Sequence, residues 1–224
     1  NLVLRPIALS YWSKFQSSHA ALRREFLRTV RGVMFVVFPI FVGVMLTAPE
    51  GVPLLLGPRW EPLVPALQLL CVVELLRAAG DNTSLLFLAL GRPQIDLLIG
   101  IVNVALLPLA FFLFALRFGS DGIYAAWLTV YPALLLLTLF FAKRLTAVSV
   151  TAWFRNLLPP AAAAAGMAVL VLLADLALDT QSGRLLLAVK IGVGVISYAA
   201  LSLVTGREQW RALIGRHGPP ARVG

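Results

Sequence analysis

An all-α, polytopic membrane protein with about six transmembrane helices plus a cytoplasmic amphipathic helix is the fold class that three observations predict. Apolar residues make up 60% of the 224-residue chain and charged residues only 13%, with a mean hydropathy of +0.90. A soluble chain of this length needs far more charge to cover its surface. The apolar residues also fall into six long runs, at about 32–49, 63–90, 94–116, 121–142, 157–178 and 184–205. A hydrocarbon core of ~30 Å takes roughly 20 helical residues per crossing, so each run is long enough to span. Finally, Lys and Arg alternate from one connection to the next.

The elements follow in chain order. Residues 1–13 are apolar but short and broken by Arg5 and Pro6, as expected of the tail of a preceding transmembrane helix. Residues 14–31 place Phe15, Leu22, Phe26 and Val30 at helical spacing, with Arg23, Arg24, Arg28 and Arg31 mostly off that stripe. This pattern predicts an amphipathic link in the headgroup region. The first run is expected to close at Pro49 and Pro53, and the second to open at Gly57-Pro58 with Trp60. Gly91-Arg92-Pro93 and Gly119-Ser120-Asp121-Gly122 read as turns, and Pro159-Pro160 as a first helical turn. Pro39, Pro108 and Pro132 fall inside runs, where they should bend the helices. Trp60, Trp127, Trp153 and Trp210 are candidates for interfacial anchors, and Tyr124 and Tyr131 for aromatic packing. Residues 32–145 thus form a four-helix part, 146–206 two further transmembrane helices, and 207–224 a basic tail.

The charges fix the orientation. Arg5, Lys14, Arg23, Arg24, Arg28, Arg31, Arg92, Lys143, Arg144, Arg155, Arg207, Arg211, Arg216 and Arg222 lie on one side of the six-crossing layout. Only Arg59, Arg117 and Arg184 lie on the other, with Arg77 and Lys190 inside runs. Fourteen against three, alternating loop by loop, predicts cytoplasmic ends for the segment. The net charge of +9 therefore reports topology beside anionic lipid and not a nucleic-acid partner.

Soluble-enzyme signatures are missing. Gly192-Val193-Gly194 lies in an apolar run without the rest of a phosphate-binding loop. His19 and His217 stand far apart, no Cys/His cluster offers a metal site, and the lone Cys71 allows no internal disulfide. We expect no enzyme activity, no metal and no cofactor. The chain starts at Asn1 with no cleavable signal pattern, as expected of part of a longer chain.

The second run holds the residues that speak of function. Glu74, Arg77 and Asp81, followed by Asn82, sit at spacings that place the three charges on one stripe of a helix. Arg77 is near mid-depth, where facing lipid would cost at least ~2.5–3.5 kcal/mol, so the stripe must face protein or a water-filled cavity. Two readings stand. Glu74 and Asp81 either neutralise Arg77 within the helix, or the stripe lines a cavity where Arg77 offers a forked donor to phosphate or carboxylate. Asn103, seven residues from Asp96 on the third run, can join that cavity, while Asp96 also suits a helix N-terminus. Asp175 and Lys190 flank the 179–183 turn. Lys190 can reach outward to the interface or pair with Asp175.

Several stretches together resemble the C-terminal half of polysaccharide and O-antigen flippases of the multidrug/oligosaccharidyl-lipid/polysaccharide exporter superfamily. They are PIALSYWSKFQ from Pro6, LRREFLRTVRGVMFVVFPIFVGVMLTAPEGVPLLLGPRWEPLVPALQLL, and ELLRAAGDNTSLLFLALGRP ending at Pro93. Pro6 and Ser10, Pro39, Leu56-Gly57-Pro58-Arg59-Trp60, Arg77 and Leu90-Gly91-Arg92 carry the pattern. It extends over about the first 145 residues, and 157–206 match as two apolar helices.

The resemblance implies a chain of about fourteen helices, of which these are the last six, completed by an N-terminal half. It implies a bacterial cytoplasmic membrane location and transport of undecaprenyl-pyrophosphate-linked oligosaccharide by alternating access. Arg77 is then the position suited to the pyrophosphate, with Glu74, Asp81, Asn82 and Asn103 as further substrate-binding candidates. The acids depart from the basic cavity expected of the family. Either they serve cation coupling or the main cations lie in the other half. A cation-coupled multidrug exporter, a membrane scaffold, or a membrane-bound glycosyl- or acyltransferase are the alternatives.

Overall fold

The computed structural model describes residues 19–146, 148–178 and 183–206, apart from the side chains of residues 19–22, 82 and 85. Six long helices follow one another: α1 (His19–Leu56), α2 (Val64–Ala89), α3 (Pro93–Phe118), α4 (Gly122–Thr146), α5 (Val150–Ala177) and α6 (Gly183–Thr205). Short 3-10 turns, Pro58–Leu63 and Gly119–Asp121, precede α2 and α4, and the described residues contain no strand. The expected elements at 1–13 and 207–224, with Trp210, lie outside the described residues.

Five stretches are long and apolar enough to cross a bilayer. One of them, Pro93–Thr146, is 54 residues long and holds two helices, because the chain folds back at Gly119. Gly119 has φ 61°, a left-handed value that favours glycine. Gly122 then lies so close to α3 that a Cβ there would meet the Phe114 carbonyl oxygen. The result is a tight α3–α4 hairpin.

Local chemistry explains the other ends. Gly57, with φ 96°, turns the chain out of α1. Pro93 opens α3, Asp96 stands in its first turn and Arg117 in its last, complementing the helix dipole at both ends. Ser149 caps α5, its side chain accepting from Ala152 N–H at 3.1 Å.

α1 is the hub. It packs against α2 on one flank and against the α5–α6 hairpin on the other, while α4 and then α3 pack beyond α2. The main core joins Phe26, Val30 and Met34 of α1 to Leu86 and Phe87 of α2, Leu139 of α4 and Trp153 of α5. A second cluster, Ala110 with Ala126, Val130 and Leu134, seals the α3–α4 hairpin. Outside this core the pattern of a soluble protein is inverted. Ile101, Val104, Phe112 and Leu116 of α3, Leu172 and Leu176 of α5, and Val195 and Ile196 of α6 are exposed. Thr138, Thr146 and Ser202 spend their hydroxyls on carbonyls of their own helices, as a solvent without hydrogen bonds demands. This is a multi-pass membrane protein.

Three expectations are corrected. α1 continues through Pro49 and Pro53 to Leu56, because a proline in a packed membrane helix bends it without ending it. Pro159-Pro160 sit in the middle of α5 and not in its first turn, since the Ser149 cap starts that helix ten residues earlier. Trp153 is no interfacial anchor: it is 1% exposed, in the core, edge-on to Phe154 at 5.0 Å. From His19 on, the 14–31 segment is continuous with the first crossing, and its stripe residues Phe26 and Val30 are buried in protein.

Candidate functional site

α2 carries the charged stripe, and Arg77 is its fourteenth residue of 26, at the middle of a helix about 39 Å long. Val73, Ala79, Thr83, Leu86, Phe87 and Ala89 bury most of its circumference against α1 and α4. Among the described side chains from Val73 to Leu90, Arg77 and Asp81 are the two exposed ones. From Val73 to Leu90 the described side chains of this apolar helix are thus at least half-covered except at two of its charges.

Arg77 Nε lies 3.3 Å from Glu74 Oε2, one turn earlier, and the Arg77 side chain is 50% exposed. The pair leaves most of the guanidinium fork uncommitted to Glu74. Asp81 stands exposed one turn beyond on the same strip. Asn82 follows it on α2, its side chain among those not described. Asn103 is on the next helix. It sits in α3, where its Oδ1 is buried without a hydrogen-bond partner, and no described bond links it to the Glu74–Arg77 pair. Asp96 lines a shallow surface dip with Gly100 and Val104 instead. The strip is therefore Glu74, Arg77 and Asp81.

The structure assembles a second charged group, of which the sequence offered the Lys190–Asp175 pair but not Glu50. Lys190 of α6 does not reach outward but is 4% exposed, with Nζ 2.6 Å from Glu50 Oε1 and 3.0 Å from Asp175 Oδ1. Three helices, α1, α5 and α6, meet at this ammonium. Glu50 was masked in the sequence by its place between Pro49 and Gly51, which read as a loop; the continuation of α1 through both prolines is what delivers it. Beside Lys190 an almost wholly apolar groove of about 590 Å³ runs between α1 and α6, past Gly43, Val44 and Gly194 to Tyr198. Tyr131, one of the two tyrosines expected in aromatic packing, packs against Trp127 with ring centroids 5.9 Å apart.

Known proteins resembling this chain share one theme. Residues 1–65 match the family described as "Polysaccharide biosynthesis protein". The "Lipopolysaccharide biosynthesis protein WzxC" of Escherichia coli is 29% identical over 130 residues, 58% of this chain and 26% of that protein. The "Teichuronic acid biosynthesis protein TuaB" of Bacillus subtilis is 23% identical over 224 residues, 97% of this chain and 45% of its own length. An "Uncharacterized membrane protein in cps region" of Klebsiella pneumoniae is 24% identical over 82% of this chain and 38% of its own. The chain thus spans less than half the length of each of these relatives. No solved structure matches. This multi-pass, all-helical chain is thus similar to polysaccharide biosynthesis proteins, through residues 1–65 to the family and over longer stretches to relatives named for lipopolysaccharide and teichuronic acid synthesis.

Proposed function

We propose that the chain is one lobe of a flippase that carries undecaprenyl-pyrophosphate-linked oligosaccharide across the bacterial cytoplasmic membrane. The observation behind this reading is the bare strip of α2. Arg77 is exposed at the middle of an apolar helix, and lipid against it would cost at least ~2.5–3.5 kcal/mol. A second lobe facing the strip, the N-terminal half of the transporter, removes that cost and encloses a polar cavity. Transport then needs no covalent chemistry, only rocking of the two lobes about a headgroup held near the midplane. Arg77 donates to the pyrophosphate through its planar fork. Glu74 holds the fork in place, and Asp81 reaches the sugar hydroxyls on the same strip, with Asn82, next in sequence, a further substrate-binding candidate. Asn103 belongs to the same cavity only if α3 turns toward it. In this arrangement both ends of the segment are cytoplasmic, and residues 19–31 stand at that surface.

Arg77→Ala in the full transporter tests the reading. Periplasmic delivery of the lipid-linked glycan should fall at least tenfold while the amount of protein in the membrane stays unchanged. Undiminished delivery would end the assignment of Arg77. The close approach of Glu74 to Arg77 favours a second reading, a cation-coupled exporter in which the carboxylate exchanges Arg77 for a proton. Glu74→Gln would then abolish efflux of cationic dyes and leave surface polysaccharide intact.

A further inference from the structure

A proline inside a helix has no N–H, so the carbonyl four residues earlier loses its helical donor. Three carbonyls freed in this way each receive a polar side chain from a different helix. Pro39 frees the carbonyl of Phe35, which accepts the Tyr198 hydroxyl of α6 at 2.6 Å. Pro49 frees that of Met45, which accepts Gln68 Nε2 of α2 at 3.0 Å. Pro160 in α5 frees that of Asn156, which accepts Arg31 Nε of α1 at 3.3 Å. Asn156 answers with its own amide, Nδ2 donating to the Leu27 carbonyl at 2.6 Å. Among the described residues, no side-chain donor reaches the carbonyls freed by Pro53, Pro108, Pro132 and Pro159. The clasped carbonyls are therefore those at which α1 meets α6, α2 and α5.

In hydrocarbon no water can take over either partner, so a broken clasp leaves a carbonyl and a donor both unmade. The two acceptors on α1 are ten residues apart, which sets them about 80° apart around the helix. They are held from different flanks.

We propose that α1 is a jointed helix whose two proline bends are set by Tyr198 and Gln68. Each clasp makes the angle of one joint depend on the position of a neighbouring helix. Tyr198 ties the Pro39 joint to α6, across the groove that Pro39 and Tyr198 both line. Gln68 ties the Pro49 joint to α2, nine residues ahead of Arg77. Displacement of α2 is thereby passed to the far half of α1. The clasps themselves do not depend on what is transported.

The test follows from the cause. Tyr198→Phe removes only the donor, and Pro39→Ala returns an N–H to the Phe35 carbonyl, making the hydroxyl redundant. Hydrogen–deuterium exchange of α1 amides at residues 40–46 is measured in the full protein in lipid nanodiscs. Tyr198→Phe should speed exchange about three- to tenfold in the Pro39 protein and by less than about twofold when combined with Pro39→Ala. Equal acceleration in both backgrounds, or none in the Pro39 protein, overturns the proposal. Gln68→Met with and without Pro49→Ala forms an independent cycle at residues 50–56, and decides the matter if Pro39→Ala does not reach the membrane. No substrate enters the measurement, so failure of the flippase reading in the Arg77 assay leaves this result separately legible.

Discussion

Replacing Lys190 by Met probes the second charged group in a way that separates charge from volume. The side chains are of similar size, but the ammonium that bridges Glu50 at 2.6 Å and Asp175 at 3.0 Å is gone. Removing one partner of a buried ion pair costs about 3–5 kcal/mol, because the partner is left as an uncompensated charge. The two acids do not share that cost equally. Asp175 is 36% exposed and regains solvent, whereas Glu50 is 15% exposed and its Oε2 is already buried without a hydrogen-bond partner. The loss therefore falls on Glu50, near the lower end of that range, about 3 kcal/mol. At roughly 2–4 °C per kcal/mol for a chain of this size, the apparent melting temperature in detergent should drop by about 6–12 °C. Adding Glu50→Gln removes the stranded charge and should restore most of the loss. A Lys190→Met protein that melts with the parent, or a double variant no more stable than the single one, would refute a buried, mutually dependent triad.

Other substitutions test the packing. Gly122→Ala should lower the yield of monodisperse protein on size exclusion, since its Cβ meets the Phe114 backbone and the α3–α4 hairpin must shift, at about 1–3 kcal/mol. Gly166→Ala should cost less than about 1 kcal/mol in the same assay, because its Cβ meets only the end of the Leu201 side chain, which can rotate away. Trp153→Ala should destabilise by about 3–5 kcal/mol in thermal unfolding. Trp153→Phe should cost about 1 kcal/mol, as the indole N–H has no partner to lose.

Hydropathy and punctuation made the six helices legible, since length and apolarity are what the bilayer itself selects. The place of Pro39 inside α1 was legible for the same reason, but the helix end was not. A proline stops a helix in water, where the freed carbonyl and the exposed backbone have competitors for their bonds. Inside a packed membrane body Gln68 and Tyr198 come to those carbonyls instead, and no local pattern in the sequence announces a donor 23 or 163 residues away. Glu50 was lost with the same error. The strip of α2 was readable from spacing alone, because three charges in an apolar run have few explanations. The relation of Asn103 to that strip depends on how α3 packs, and a seven-residue repeat on one helix carries no information about the next. Trp153 shows the converse limit. It read as an interfacial anchor, yet burial in the core where α5 packs against α1 decides its surroundings.

The uncovered strip on α2 also bears on how long such a chain survives. A helix that shows a mid-membrane Arg and an acid to its surroundings is at ease in a bilayer only while something lies against that flank. Its lifetime is then governed by its companion: cells that make this segment in excess should clear the surplus, because the exposed strip offers membrane proteases a locally unstable helix. Abundance in the membrane would thus follow the supply of the facing half and not the rate at which this half is synthesised.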